Sequence, residues 1–222
     1  MPVFRIGEGL IFPDPSLAEN DGLLGIGGDL SPERLILAYE SGIFPWFNEG
    51  YPLLWWSPDP RFVLFPVELK IRRSLAKLIR SQRFKITFDR AFSDVIWQCS
   101  RVPRAGQEGT WITNDMAKAY QKLHELGVAH SCEVWRGHQL VGGLYGVSLG
   151  PFFFGESMFH KESSASQVAL VSLCERFKDA VLIDCQVETE HFKRMGARFI
   201  PRSHFLQLLR EHISDESLWD KT

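Results

Sequence analysis

The sequence predicts an α+β fold, one mixed α/β sheet preceded by a small N-terminal unit, and three observations predict it. The first sixty residues are rich in Gly, Pro and Trp and carry a single helix signature. Beyond Phe65 the apolar residues switch repeatedly between helical spacing and the alternation of strands. Three strand-like runs, 130–135, 139–148 and 152–159, then follow one another across Gly137-His138 and Gly150-Pro151, whose turn chemistry suits a meander. A chain of 222 residues, 45% of them apolar, is long enough to bury a full core.

Taken in order, the first helix starts at Ser31 as N-cap with Pro32 in the first helical position, runs through LILAY and ends at Gly42. The tryptophans at 46, 55 and 56 lie near prolines, in segments expected to be neither regular helix nor central strand. In the basic segment, Ile71, Leu75, Leu78 and Ile79 form one helical stripe, with Arg72, Arg73, Lys77 and Arg80 largely outside it. A short strand at 84–88 precedes a helix holding Ala91, Phe92, Val95, Ile96 and Cys99, then another from Thr113 to Leu126, stopped by Gly127. After the meander come a helix at about 164–178, the strand VLIDCQ, a short helix near His191 to Met195, and ARFI before Pro201. A boundary is expected near residue 62, giving units 1–62 and 63–222.

The net charge of −2 argues against a general nucleic-acid binder, but it is unevenly spread. Lys70 to Lys85 holds seven basic residues and no acid, leaving a net −9 on the remainder, as a local phosphate-binding patch would. A solvated helix face is the plainer alternative. Cysteines 99, 132, 174 and 185 sit in apolar contexts without C-x-x-C spacing, so buried free thiols are expected over a disulfide or metal site. No stretch approaches the roughly twenty apolar residues of a membrane span, and the start lacks signal-peptide character, so a cytoplasmic protein is expected.

Two apolar strands carry polar groups that need a reason. Glu156 lies in GESMF and Asp184 and Gln186 lie in LIDCQ, and burying an ionised group costs several kcal/mol unless it is paired. These side chains are therefore expected to line a cavity. Strict alternation puts Asp184 and Gln186 on one strand face, with Ile183, Cys185 and Val187 on the other. A plainer alternative has Asp184 paired with an arginine and Gln186 capping a loop.

The order β-α-α-β-β-β-α-β-α-β resembles the GNAT-type acyltransferase fold, whose mixed sheet commonly opens a V-shaped cleft between its middle strands. Seven segments in order, GGDL-SPERLILAYESGIFPWF, WWSPDPR, EGTWIT, AYQKLHELGVAHSCEVW, LVGGLYGVSLG, GESMF and LIDCQ, together resemble the leucyl/phenylalanyl-tRNA–protein transferase family over nearly the whole chain. That resemblance implies transfer of Leu, Phe or, less well, Met from aminoacyl-tRNA to the α-amine of proteins or peptides beginning with Arg or Lys. The modified protein is thereby marked for degradation.

The resemblance also implies roles. Gln186 accepts a hydrogen bond from the attacking amine and aims it, since a carboxamide does not titrate here. Asp184 orients Gln186, attracts the cationic acceptor or relays the amine proton. Leu144, Met158, Leu170, Leu173 and Ile183 surround the donor's side chain, where a flexible thioether suits varied shapes; Leu173 and Ile183 also suit plain core positions. Glu156 holds the donor's α-ammonium. Trp46 and Trp111 stack on the terminal adenosine with Tyr39 and Tyr120 nearby, and Arg72, Arg73, Lys77, Arg80, Arg83 and Lys85 meet tRNA phosphates. Two positions depart from the family's usual pattern, Gln167 where it has Lys and Arg194-Met195-Gly196 where it has Ser-Leu-Gly. The missing lysine puts one tRNA contact in doubt.

Other chemistries fit less well. Coenzyme A binding needs a Gly-rich loop opening a helix, and no glycine occurs between Gly155 and Gly196. A hydrolase reading of Gly155-Glu156-Ser157 fails because Phe159 stands where the nucleophile elbow needs glycine. No H-E-x-x-H or paired His/Cys spacing suggests a metal, and no cofactor is expected. A non-catalytic tRNA-binding module would keep the basic helix and tryptophans without needing Glu156, Asp184 and Gln186.

Overall fold

The structure, a computed structural model, describes residues 3–102, 112–214 and 216–219. Two sheets organise them. The first, in the order β1-β2-β4-β3, comprises β1 (Phe4–Ile6), β2 (Leu23–Gly27), β3 (Phe44–Pro45) and β4 (Leu54–Trp56), with α1 (Pro32–Glu40) between β2 and β3. This corrects the expectation for the tryptophans. Trp55 and Trp56 lie in β4, which pairs with β2 on one side and β3 on the other. Pro52 and Pro58 stand outside the strand, so they remove no hydrogen bond from its ladder. Trp55 is wholly buried, and its ring nitrogen donates to the Gly27 carbonyl at 2.8 Å.

The second sheet has seven strands: β5 (Arg61–Leu64), β6 (Lys85–Phe88), β7 (Ala129–Arg136), β8 (Gln139–Leu149), β9 (Phe152–His160), β10 (Leu182–Gln186) and β11 (Arg198–Ile200). Its order is β11-β5-β10-β9-β8-β7-β6. β7 to β9 pair antiparallel as a meander, as the turn residues predict, and β6 adds antiparallel to β7. Along the chain from β5 to β11 come α2 (Arg73–Arg80), α3 (Phe92–Cys99), α4 (Asn114–Glu125), α5 (Ala165–Arg176) and α6 (Glu190–Arg194), and α7 (Arg202–His212) follows β11. The Thr113 hydroxyl caps α4 by accepting from the Met116 N–H at 3.2 Å.

Sequence reasoning misses β5 and α7, both beside prolines. Pro60 and Pro66 flank β5 without entering it, and Pro201, read as a stop, sits at the N-cap of α7. It also starts the basic helix too early: Ile71 precedes α2 and is 41% exposed, so Leu75 anchors that helix with Leu78 and Ile79 packed beside it.

Successive β9 residues face opposite cores. Phe152 and Phe154 join a cluster with α1, α3, α4 and α7, while Phe153 joins one with α2 and α5, giving helices on both sheet faces. The first cluster also contains Trp55 and Tyr39, so both sheets share a continuous core. The four cysteines are free and buried.

The site arises from strand pairing that stops early. β9 and β10 run parallel in register only from Leu182↔Phe152 to Asp184↔Phe154, while β9 continues to His160. Beyond that last pair the strands are not joined, and side chains from both line one cavity.

Candidate active site

This cavity has a volume of about 620 Å³. Leu144 from β8, Met158 from β9, Leu170 and Leu173 from α5 and Ile183 from β10 all line it. It therefore gathers every residue expected around an apolar donor side chain. Trp46 also lines it, half-buried against Trp56 with ring centroids 5.8 Å apart, while the Trp56 ring nitrogen donates to the Trp46 carbonyl at 2.7 Å. Trp111 lies outside the described residues.

Glu156, 8% exposed, is the hub of the cavity's polar side. Its carboxylate accepts from the Tyr39 hydroxyl at 2.8 Å, the Tyr120 hydroxyl at 2.8 Å and Gln186 Nε2 at 2.7 Å. The two tyrosine hydroxyls also stand within hydrogen-bonding distance of each other, a contact that has a proton of its own only when a protonated Glu156 donates to one of them. Burial pushes the Glu156 carboxyl up to about 7; its three hydrogen bonds oppose that rise, and the charge of Asp184 adds to it. Burial first, then the neighbouring Glu156 charge, raises both phenols well above 10, which keeps them as O–H donors. Tyr39 and Tyr120 have no exposed surface, so they serve the site through Glu156 and offer no ring face to a base.

Asp184 is fully buried and paired with Arg61, a partner that sequence reasoning left unidentified. Arg61 Nε donates to Oδ1 at 2.9 Å and Nη2 to Oδ2 at 2.6 Å, a bidentate fork. The guanidinium lies between the Phe44 and Phe205 rings, 4.7 Å from each centroid, and donates to the Gly42 carbonyl at 3.3 Å. Asp184 also touches Gln186, accepting its backbone N–H at 3.0 Å.

Simple alternation does not continue through Gln186. The β10–β5 register shifts between Asp184 and Gln186, and Gln186 takes a left-handed φ of 63°. The two residues are linked by a side-chain-to-backbone bond at a bulge. With Nε2 given to Glu156, the Gln186 carboxamide has a set orientation.

His191 lines the same cavity, with a buried Nε2 that has no partner among the described residues, and burial lowers its pKa. Elsewhere, Asp89, His124 and His130 converge within 4.8 Å, a grouping their spacing does not announce. His130 Nδ1 is bonded to Asp89 at 2.8 Å and His124 Nδ1 to the Ala129 carbonyl at 2.8 Å.

The cations Arg72, Arg73, Lys77, Arg80, Arg83 and Lys85 are all exposed on or beside α2. Arg83 does have a counter-charge, Glu162 at 2.8 Å, shared with Arg136 at 3.0 Å.

Two family profiles match the chain, one described as leucyl/phenylalanyl-tRNA protein transferase over residues 63–210 and one as that family's N-terminal domain over residues 28–59. Curated relatives carrying the same name agree. The protein from Syntrophobacter fumaroxidans is 58% identical over 217 residues, covering 97% of this chain and 93% of its own. That from Syntrophus aciditrophicus is 54% identical over 220 residues, covering 98% and 92%, and that from Ectopseudomonas mendocina is 55% identical over 201, covering 90% and 88%.

Proposed function

This chain belongs to the leucyl/phenylalanyl-tRNA protein transferase family, and on that premise we propose how its cavity moves an aminoacyl group from tRNA to a protein N-terminus. The enzyme is a transferase that forms a peptide bond by aminolysis of the aminoacyl ester. The acceptor's α-amine attacks the ester carbonyl, the C–N bond forms, and the C–O bond to the tRNA ribose breaks. The proton lost by the amine balances the one gained by the departing ribose oxygen. An α-amine with pKa near ~8 is about one-tenth neutral at pH 7, a handicap of only ~1.4 kcal/mol, so aiming it matters more than deprotonating it.

The observation that carries this reading is the 2.7 Å bond from Gln186 Nε2 to Glu156 inside the cavity. It commits the amide nitrogen and leaves the carboxamide oxygen to accept from the attacking amine. Asp184 acts as a positioning residue through the Gln186 N–H, its charge balanced by Arg61. A carboxylate accepts about four hydrogen bonds, and three at Glu156 are taken, leaving one site for the donor's α-ammonium. Leu144, Met158, Leu170, Leu173 and Ile183 receive a Leu, Phe or Met side chain, and Trp46 stacks on the terminal adenosine. The exposed face of α2 meets the tRNA backbone.

The acceptor is a protein or peptide beginning with Arg or Lys, and its modification commits it to degradation. Residues 1–62 serve as a small domain supplying Trp46 to the transfer domain of 63–222. Among the described residues no helix is long and apolar enough to cross a membrane, and a cytoplasmic setting fits this substrate pair. The test is transfer of labelled Leu from Leu-tRNA to a peptide beginning with Arg, with a Glu-initiated peptide and Val-tRNA as controls. Transfer confined to Leu-tRNA and the Arg peptide supports the reading; equal transfer to the Glu peptide overturns the acceptor assignment.

A further inference from the structure

A second cavity, of about 180 Å³, lies where α2, α5 and α6 meet, lined among others by Lys70, Arg72, Ser74, Gln167 and Arg194. Three of its lining residues are cations, and among the described residues no carboxylate lines it. Backbone contacts hold this grouping together. The Lys70 N–H donates to the Met195 carbonyl at 2.9 Å, which fastens the end of α6 beside the segment entering α2. Gly196 allows the approach, with φ 104° and the Glu68 carbonyl 2.6 Å from where a Cβ would stand.

The nearby acids do little to neutralise the cluster. Glu68 is engaged by Arg198 in two bonds of 2.8 and 3.0 Å and attracts Lys70 less strongly. Arg194 reaches Glu190 only at 3.7 Å, and both side chains are more than half exposed, a geometry that contributes little. Arg72 caps α2 and Ser164 caps α5, neither with a side-chain cap bond, so two helix starts add partial positive charge to the three cations. Like charges gathered this way repel unless an anion is present.

We propose that this cavity seats one phosphate group of the donor tRNA backbone, held by Lys70, Arg72 and Arg194. The assignment rests on the aminoacyl-tRNA reading above and extends it. Arg73, Lys77 and Arg80 are exposed on α2, whose first turn lines the cavity, so a strand of RNA backbone crossing that helix has one seated phosphate as its anchor. An anchored phosphate fixes register, which a row of mobile surface cations does not.

The test is tRNA binding as a function of salt, for the wild type and for Arg194→Gln and Lys70→Gln, exposed positions where loss of charge leaves the fold intact. Each substitution is expected to lower the log–log salt slope by about one and to weaken binding about eightfold near 0.1 M salt. An unchanged slope in both variants overturns the proposal while leaving the transfer reading standing. Failure of the wild type to bind tRNA at all overturns both. Calorimetry with inorganic phosphate separates the two sources of the anion: Arg194-dependent phosphate binding with an unchanged tRNA slope marks a free-anion site and overturns the RNA assignment.

Discussion

Replacing Glu156 with glutamine tests the electrostatics of the site with little change of shape. The carboxyl titrates near 4.5 when free and at about 7 in the fold, because burial disfavours its charge. Each pH unit is worth about 1.4 kcal/mol, so this gap amounts to about 3 kcal/mol. Between the two values the folded protein keeps a proton that the unfolded chain has released. The contribution of Glu156 to stability therefore falls as pH rises through that window, and above it the folded state bears the whole penalty. Glutamine does not titrate. Its oxygen can accept from Tyr39 and Gln186, and its NH2 can donate to the Tyr120 hydroxyl, which is free to donate to Tyr39. Urea unfolding of both proteins near pH 4.5 and pH 8.5 measures the effect, other titrations cancelling in the difference. The variant is expected to gain about 3 kcal/mol on the wild type across that interval. A difference independent of pH would refute the reasoning, because it would mean that Glu156 titrates in the fold as it does in the free chain.

Asp184→Ala strands the Arg61 guanidinium in the core and is expected to lower unfolding free energy by about 3–5 kcal/mol, whereas Arg61→Met with Asp184→Leu recovers most of it; urea midpoints check both. Met158→Ala removes apolar surface from the donor pocket and lowers kcat/KM for Leu-tRNA roughly tenfold, from a loss of about 1–2 kcal/mol of contact, with tRNA affinity retained. Lys77→Ala with Arg80→Ala reduces the log–log salt slope of tRNA binding by about two, measured by filter binding.

What the sequence makes legible here is local. Gly137-His138 and Gly150-Pro151 place the meander, and Thr113 places the start of α4, because turn and cap chemistry acts within a few residues. The cavity's apolar lining is legible only through the family resemblance, and every residue which that resemblance sets around the donor side chain lines the cavity. Proline misleads in both directions: beside β4 and β5 it stands one or two residues outside the strand, and at Pro201 it caps the start of α7. The pairing of Asp184 with Arg61 joins residues 123 positions apart, and no local pattern encodes it, although an arginine partner was the plainer alternative. The shared use of Glu156 by Tyr39, Tyr120 and Gln186 is likewise a product of tertiary packing. Gln186 at φ 63° is the instructive case, because strict alternation predicts its neighbour correctly but not the bulge that joins them.

The most direct test of the account is single-turnover transfer from Leu-tRNA to an Arg-initiated peptide by the wild type and by Gln186→Ala, with tRNA binding measured in parallel. If the carboxamide held by Glu156 aims the amine, binding is unchanged and the transfer rate falls about 10²-fold. Transfer at the wild-type rate would contradict it.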